Sequence, residues 1–154
     1  MKIRPVRASD RNEWLRMRRA LWPGSRDDHP REIAKYFARP PKKKPVFVAE
    51  RPNGKLAGFL EANIRESADG CDTSRDCGIG YIEGWWVDAD ARKRGIGGKL
   101  VRAAEQWARK IGCREMASDC VVGNRVSFRA HLALGYREVE RTIHFAKSLK
   151  KRRV

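Results

Sequence analysis

The sequence predicts a mixed α/β (α+β) fold built as a single domain, on three observations. Strand-like runs at 2–6, 46–49, 55–65, 79–88 and 115–120 are interleaved with helical runs at 10–21, 96–111 and 124–134. The 154 residues suit one core, and the Pro-Lys stretch at 40–45 is too short to divide domains. No internal repeat or low-complexity segment breaks the series.

The elements follow in order. Lys2 to Val6 reads as a first strand. Ser9 or Asp10 can cap the next helix, where Trp14, Met17 and Leu21 recur at helical spacing until Pro23-Gly24 stops it. Pro30 opens a short second helix carrying Ile33 and Phe37. Val46 to Ala49 is a strand, and Pro52-Asn53-Gly54 turns into the next, from Lys55 to about Arg65. There Leu56, Leu60, Ala62 and Ile64 should share one face, and Phe59, Glu61, Asn63 and Arg65 the other. Residues 66–78 form a polar loop. Ile79 to Asp88 is a long strand with Tyr81, Glu83, Trp85 and Val87 on one face. An amphipathic helix follows, with Ile96, Leu100, Ala104, Trp107, Ala108 and Ile111 as its stripe and Gly112 at its end. Glu115 to Cys120 is a strand, Asn124 to Leu134 a helix, and two strands at 136–139 and 142–147 should complete the sheet.

Charge narrows the partners. Against 35 Lys+Arg stand 19 Asp+Glu, a net +16 that attracts anions. The basic residues are spread out, apart from Lys42-Lys43-Lys44, Arg92-Lys93-Arg94 and a basic tail at 148–154, and no nucleic-acid-binding module accompanies them. The N-terminus lacks the apolar core of a secretory signal, and no apolar run is long enough for a membrane span, so a cytoplasmic protein without membrane attachment is expected. Cys71, Cys77, Cys113 and Cys120 have no Cys-x-x-Cys spacing and read as ordinary thiols; a reducing compartment argues against a Cys71–Cys77 bridge. No His, Cys and Asp cluster has metal-ligand spacing, so no metal is expected.

The stretch from Val87 to Leu100 carries the chemistry. A strand runs into a loop with three glycines and three basic residues, and the loop opens a helix. Glycines admit close backbone approach, first-turn N–H groups lack intrahelical acceptors, and the helix dipole adds positive potential, so the stretch is an anion cradle. A Walker A loop fails, because Lys93 stands where its first glycine belongs and Leu100 replaces the hydroxyl residue. A dinucleotide fingerprint fails, because Leu100 replaces its third glycine. What remains, Arg92-x-x-Gly95-x-Gly97, resembles the acetyl-coenzyme A loop of the GNAT superfamily of N-acetyltransferases. The element order resembles that fold from Lys2 to Lys147, which implies a mixed, mostly antiparallel sheet flanked by helices. By that resemblance acetyl-coenzyme A is the co-substrate. Its pyrophosphate would meet backbone N–H groups of Arg94, Gly95, Ile96, Gly97, Gly98 and Lys99, beside Arg92. Its pantetheine arm would lie along Trp85, Trp86 and Val87, with an N–H near Trp86 or Val87 polarising the thioester carbonyl. Asn124 would complete the cofactor set.

Further blocks resemble the aminoglycoside 6'-N-acetyltransferases of the AAC(6')-I group. They are Leu21-Trp22 with Ser25 and His29 beyond, Leu60 to Arg65, Tyr81 to Val87, Ala117-Ser118-Asp119, Asn124-x-x-Ser127-x-x-x-His131-x-x-x-Gly135-Tyr136 and His144-Phe145-x-Lys147. That resemblance implies an aminoglycoside substrate, itself polycationic, and a homodimer. Acids near the cleft would offset the basic protein: Glu61, Glu83 and Asp119, with Glu66, Asp69, Asp72 and Asp76 in the loop. A protonated amine must lose a proton before attack, which nominates Glu83 and Asp119 as base and substrate ligand. Trp22, Glu61 and Asp76 would also face the substrate. A tyrosine serves as acid in many relatives where this chain has His131, and His144 replaces another in the last strand; these departures leave His131, His144 or no dedicated acid. Tyr136 packs in the core. The fold leaves open a protein amine or small polyamine as acceptor, and a basic nucleic-acid-binding role on the same fold.

Overall fold

A computed structural model describes residues 1–24, 26–72 and 78–149. Strands β1 (Lys2–Pro5), β2 (Val46–Glu50), β3 (Leu56–Arg65), β4 (Ile79–Val87) and β5 (Met116–Ser118) form one sheet in chain order. The first three pairings are antiparallel and β4 to β5 is parallel, so the sheet is mixed and mostly antiparallel, as expected. Helices α1 (Arg11–Leu21) and α2 (His29–Ala38) cover one face, and α3 (Ile96–Lys110) covers the other. Helix α4 (Arg125–Ala133) follows β5.

Each face has its own core. Trp14, Met17 and Ile33 from the helices meet Val46, Val48, Leu56 and Phe59 on one side. Ile96, Leu100, Val101 and Ala104 meet Ala49, Leu60, Ala62 and Ile82 on the other. Leu56 thus packs with Phe59 and not with Leu60, because the register slips between Ala49 and Glu50 and turns the strand start over. The α3 stripe is as expected except for Ile111, which is exposed where the helix ends. Asp10 does not cap α1. Its carboxylate accepts the Arg7 N–H at 2.7 Å and two bonds from the buried Arg4 guanidinium, which also reaches Glu50 at 2.8 and 3.0 Å. That network pins β1 to β2 and to the turn before α1.

Two further expectations fail. The strands at 136–139 and 142–147 do not form; these residues carry no regular secondary structure and pair with none of the described strands, and Ile143 and Phe145 are 78% and 91% exposed. A strand needs a partner edge, and none of the described strands offers one to this segment. The shared face of β4 is also broken. Glu61 pairs with Gly84 while Ala62 pairs with Ile82, so Glu83 has no residue opposite it. This bulge turns the strand: Tyr81 and Glu83 lie with Asn63 and Arg65 on the α1 side, while Trp85 and Val87 pack on the α3 side.

Candidate active site

β4 and β5 part company after three paired residues. Gly80, Tyr81 and Ile82 pair with Met116, Ala117 and Ser118; beyond them β4 runs on to Val87 without a neighbour on that edge. The backbone of that edge is available. Asp88 N–H bonds Ala57 O on β3 at 2.8 Å, so by strand alternation the N–H groups of Trp85 and Val87 face the gap and that of Trp86 faces β3. Arg92 Nε takes the Val87 carbonyl at 2.9 Å, and its guanidinium covers the Trp86 ring, so it braces the strand end against the loop. Trp86 donates its indole N–H to Asp88 at 3.0 Å.

The loop ends in a helix start without a side-chain cap. Gly95 is the N-cap of α3 at φ +72°, the left-handed region that suits glycine, and Lys93 holds φ +57° nearby. Lys93, Arg94 and Lys99 are exposed around it. Gly97 is small for an internal reason as well: a Cβ there would lie 2.7 Å from the Trp85 ring. Gly98 sits under Leu134 and Arg102. Ile96 is buried in the α3 core.

The candidate acids lie on one side of the sheet. Arg65 grips both Glu83 oxygens at 3.0 and 2.7 Å and lays its guanidinium 3.4 Å from the centre of the Tyr81 ring. Tyr81 donates its hydroxyl to Asp119 at 3.0 Å. Burial, with Asp119 close by, pushes that phenol up to about 12, so it stays a donor at neutral pH. The structure therefore joins Glu83 and Asp119 through Arg65 and Tyr81, a link that sequence reasoning missed. Its traces in the sequence were Arg65 on the same predicted face as Asn63, and Tyr81 on the same predicted face as Glu83.

Trp22 lies over Gly84, beside Glu83, stacked near His29 and under the Arg18 guanidinium. Glu61 is held from within: Trp14 Nε1 donates to it at 2.9 Å and Arg18 lies 3.3 Å away. Burial pushes its carboxyl above the ordinary value, although Arg18 and Trp14 oppose the rise. His131 sits where the strands part. Its Nδ1 bonds the Ser127 carbonyl at 2.8 Å, its Nε2 lies 2.9 Å from the Ser118 hydroxyl, and its ring meets the edges of Trp85 and Tyr136. The Ser127 carbonyl can only accept, so Nδ1 is the donor in that bond. Tyr136 packs against the core and turns its hydroxyl to Glu105, and burial raises its pKa. Asn124 caps α4 by accepting the Ser127 N–H. His144 lies in the exposed C-terminal stretch. Cys71 and Cys120 are free thiols, and Cys113 is buried. Ser25, Asp76, Cys77 and the tail from 150 onward fall outside the described residues.

Comparison with known proteins agrees with this geometry. The model of the acetyltransferase (GNAT) family matches residues 11–136. The chain is 42% identical to an aminoglycoside N(6')-acetyltransferase type 1 of Klebsiella aerogenes, over 96% of each chain. It resembles the solved structure of AAC(6')-Iy in complex with the bisubstrate analog CoA-S-monomethyl-acetylneamine, at TM-score 0.84 and 34% identity over 96% and 97% of the two chains. It resembles AAC(6')-Ih from Acinetobacter baumannii at TM-score 0.85 and 33% identity, over 97% and 99%.

Proposed function

The chain belongs to the GNAT acetyltransferase family, and from that premise we propose that it transfers acetyl from acetyl-coenzyme A to the 6'-amine of aminoglycosides by direct attack, a resistance activity. The observation that carries the reading is the parting of β4 from β5 between an anion cradle and a pair of carboxylates. An anionic arm and a cationic amine can meet there and nowhere else along the strand.

The residues fit an acyl-coenzyme A. The uncapped first turn of α3, with exposed Lys93, Arg94 and Lys99 around it, offers N–H groups from Arg94 to Lys99 to a pyrophosphate. The N–H groups of Trp85 and Val87 face the gap, and of the two expected donors Val87 is the one suited to a thioester oxygen. A donor of that kind is worth about 3 kcal/mol in other enzymes. When bound, acetyl-coenzyme A supplies an acyl carbon activated as a thioester. Glu83 takes the proton of the incoming ammonium, directly or through water, help worth about 10² to 10⁴ in rate. Asp119, oriented by Tyr81, holds the substrate's charge. Trp22 walls the same side over Gly84. His131 and the Ser118 hydroxyl it contacts stand at the parting of the strands, where the hydroxyl can donate a hydrogen bond to the departing thiolate.

Two further parts of the reading rest on other features. The exposed Val121, Val122, Val126, Ile143 and Phe145, with an unpaired C-terminal stretch, support a homodimer. No described helix is long and apolar enough to cross a membrane, and acetyl-coenzyme A is an intracellular metabolite, which supports the cytoplasm.

The test is thiol release from acetyl-coenzyme A with kanamycin or tobramycin, beside an aminoglycoside bearing a 6'-hydroxyl. Release with the amines alone is expected. No release with any of them, while acetyl-coenzyme A still binds, would overturn the substrate and leave a protein amine or polyamine as acceptor.

A further inference from the structure

We propose that Arg65 is a built-in counter-ion that occupies the amine's seat on Glu83 until substrate takes it, and so sets the enzyme's affinity for its acceptor. The inference rests on the reading above, in which Glu83 and Asp119 receive a cationic amine.

The seat is assembled from three groups. Glu83 gives a carboxylate, Tyr81 gives a ring face, and Asp119 stands at the far end of that ring through the phenol hydroxyl. A carboxylate beside an aromatic face is the surrounding an alkylammonium seeks. In the free protein an arginine of the chain itself fills it. The fit is close: a two-pronged pair to Glu83, the guanidinium against the ring, and Asn63 Nδ2 at 3.5 Å from the same Glu83 oxygen.

Arg65 is also able to leave. It is the last residue of β3, and 43% of its side chain is exposed. Water reaches the pair, and a polycationic substrate brings an ammonium that makes the same charge contact with Glu83, so one cation can exchange for the other. The residue does two things at once. It neutralises the carboxylate while the site is empty, and it must be displaced before the amine can reach that carboxylate. Apparent affinity is reduced by the fraction of molecules in which the seat is taken.

The measurement is steady-state kinetics of Arg65→Met, which keeps an apolar stem and removes the charge; Arg65→Gln serves if that variant does not fold. The expected result is a KM for kanamycin lowered by about fivefold or more, with the KM for acetyl-coenzyme A unchanged. A KM for kanamycin that stays the same or rises would overturn the proposal, because Arg65 would then belong to the substrate complex. A wild-type chain that releases no thiol with kanamycin refutes the substrate and not the exchange. Calorimetric titration of the same two proteins with spermine then decides: tighter binding by Arg65→Met sustains the exchange, and equal binding overturns it.

Discussion

Gly97→Ala tests whether the cofactor loop is bounded by a side chain as well as by a ligand. The added Cβ would lie 2.7 Å from Trp85 Cζ2, 3.2 Å from Cε2 and 3.3 Å from Nε1. Carbon atoms rest about 3.5–4.0 Å apart, so the ring must recede by about 1 Å. Behind it stands His131, whose ring meets Trp85 at 5.4 Å between centroids and is itself tied to Ser118 and Ser127. Overpacking of this kind costs about 1–3 kcal/mol. For a chain of this length each kcal/mol lowers Tm by about 2–4 °C, so a fall of about 2–12 °C is expected. Trp85 carries one of the two N–H groups that face the gap, so the KM for acetyl-coenzyme A should rise while that for the aminoglycoside holds. Thermal melting and the thiol-release assay read the two effects. Combining Gly97→Ala with Trp85→Phe, whose smaller ring removes Cζ2, the atom in closest contact, should recover most of the Tm. An unchanged Tm with unchanged acetyl-coenzyme A kinetics would refute the reasoning, and so would a double variant no more stable than the single one.

Three other outcomes are expected. Glu83→Ala should lower kcat/KM by at least about tenfold, a loss of about 1.4 kcal/mol in transition-state stabilisation; an unaltered rate removes Glu83 from the chemistry. Burial pushes the Asp10 carboxyl up, but the Arg4 guanidinium and Arg7 N–H outweigh it and hold the carboxyl below its ordinary value. Its stabilising contribution is therefore full above about pH 4 and fades as pH falls through the folded value. Asp10→Asn should cost about 3–5 kcal/mol at pH 7, with a gap to the wild type that narrows in acid; denaturation curves separated equally at pH 7 and pH 3 would contradict this. Phe145→Asp should shift the chain toward monomer in analytical ultracentrifugation, and a dimer of unchanged strength would exclude Phe145 from the interface.

Most elements were legible because their signals are local. The stripe from Ile96 to Ala108 needs only its own spacing to declare a helix, and Gly95 and Gly112 mark its ends. The glycine loop was legible for the same reason. Features that depend on a partner were not. Residues 136–147 have the composition of strands, yet pairing also needs a free edge beside them. The bulge at Glu83 arises from the register against Glu61 and Ala62, which alternation within one strand does not record. Arg65 and Tyr81 joined the site only when that register brought them to Glu83 and Asp119. Glu61, on the same strand, reads equally acidic in sequence, but its neighbours Trp14 and Arg18 come from α1 and claim it for the packing there.

The unpaired residue in β4 splits one strand into two frames. Before it, the N–H of Gly80 faces β5; after it, those of Trp85 and Val87 face the gap beyond the end of β5. Side chains change sides at the same point. The half that ends in Tyr81 and Glu83 presents its polar groups toward α1, and the half that follows sends its indole and valine toward α3. Taking out Glu83, the unpaired residue, leaves Ile82 opposite Ala62 and Gly84 opposite Glu61, so Trp85 and Trp86 keep their sides while the acceptor half loses its carboxylate. A strand so divided can change its acceptor half, position by position, without re-phasing the half that meets the cofactor.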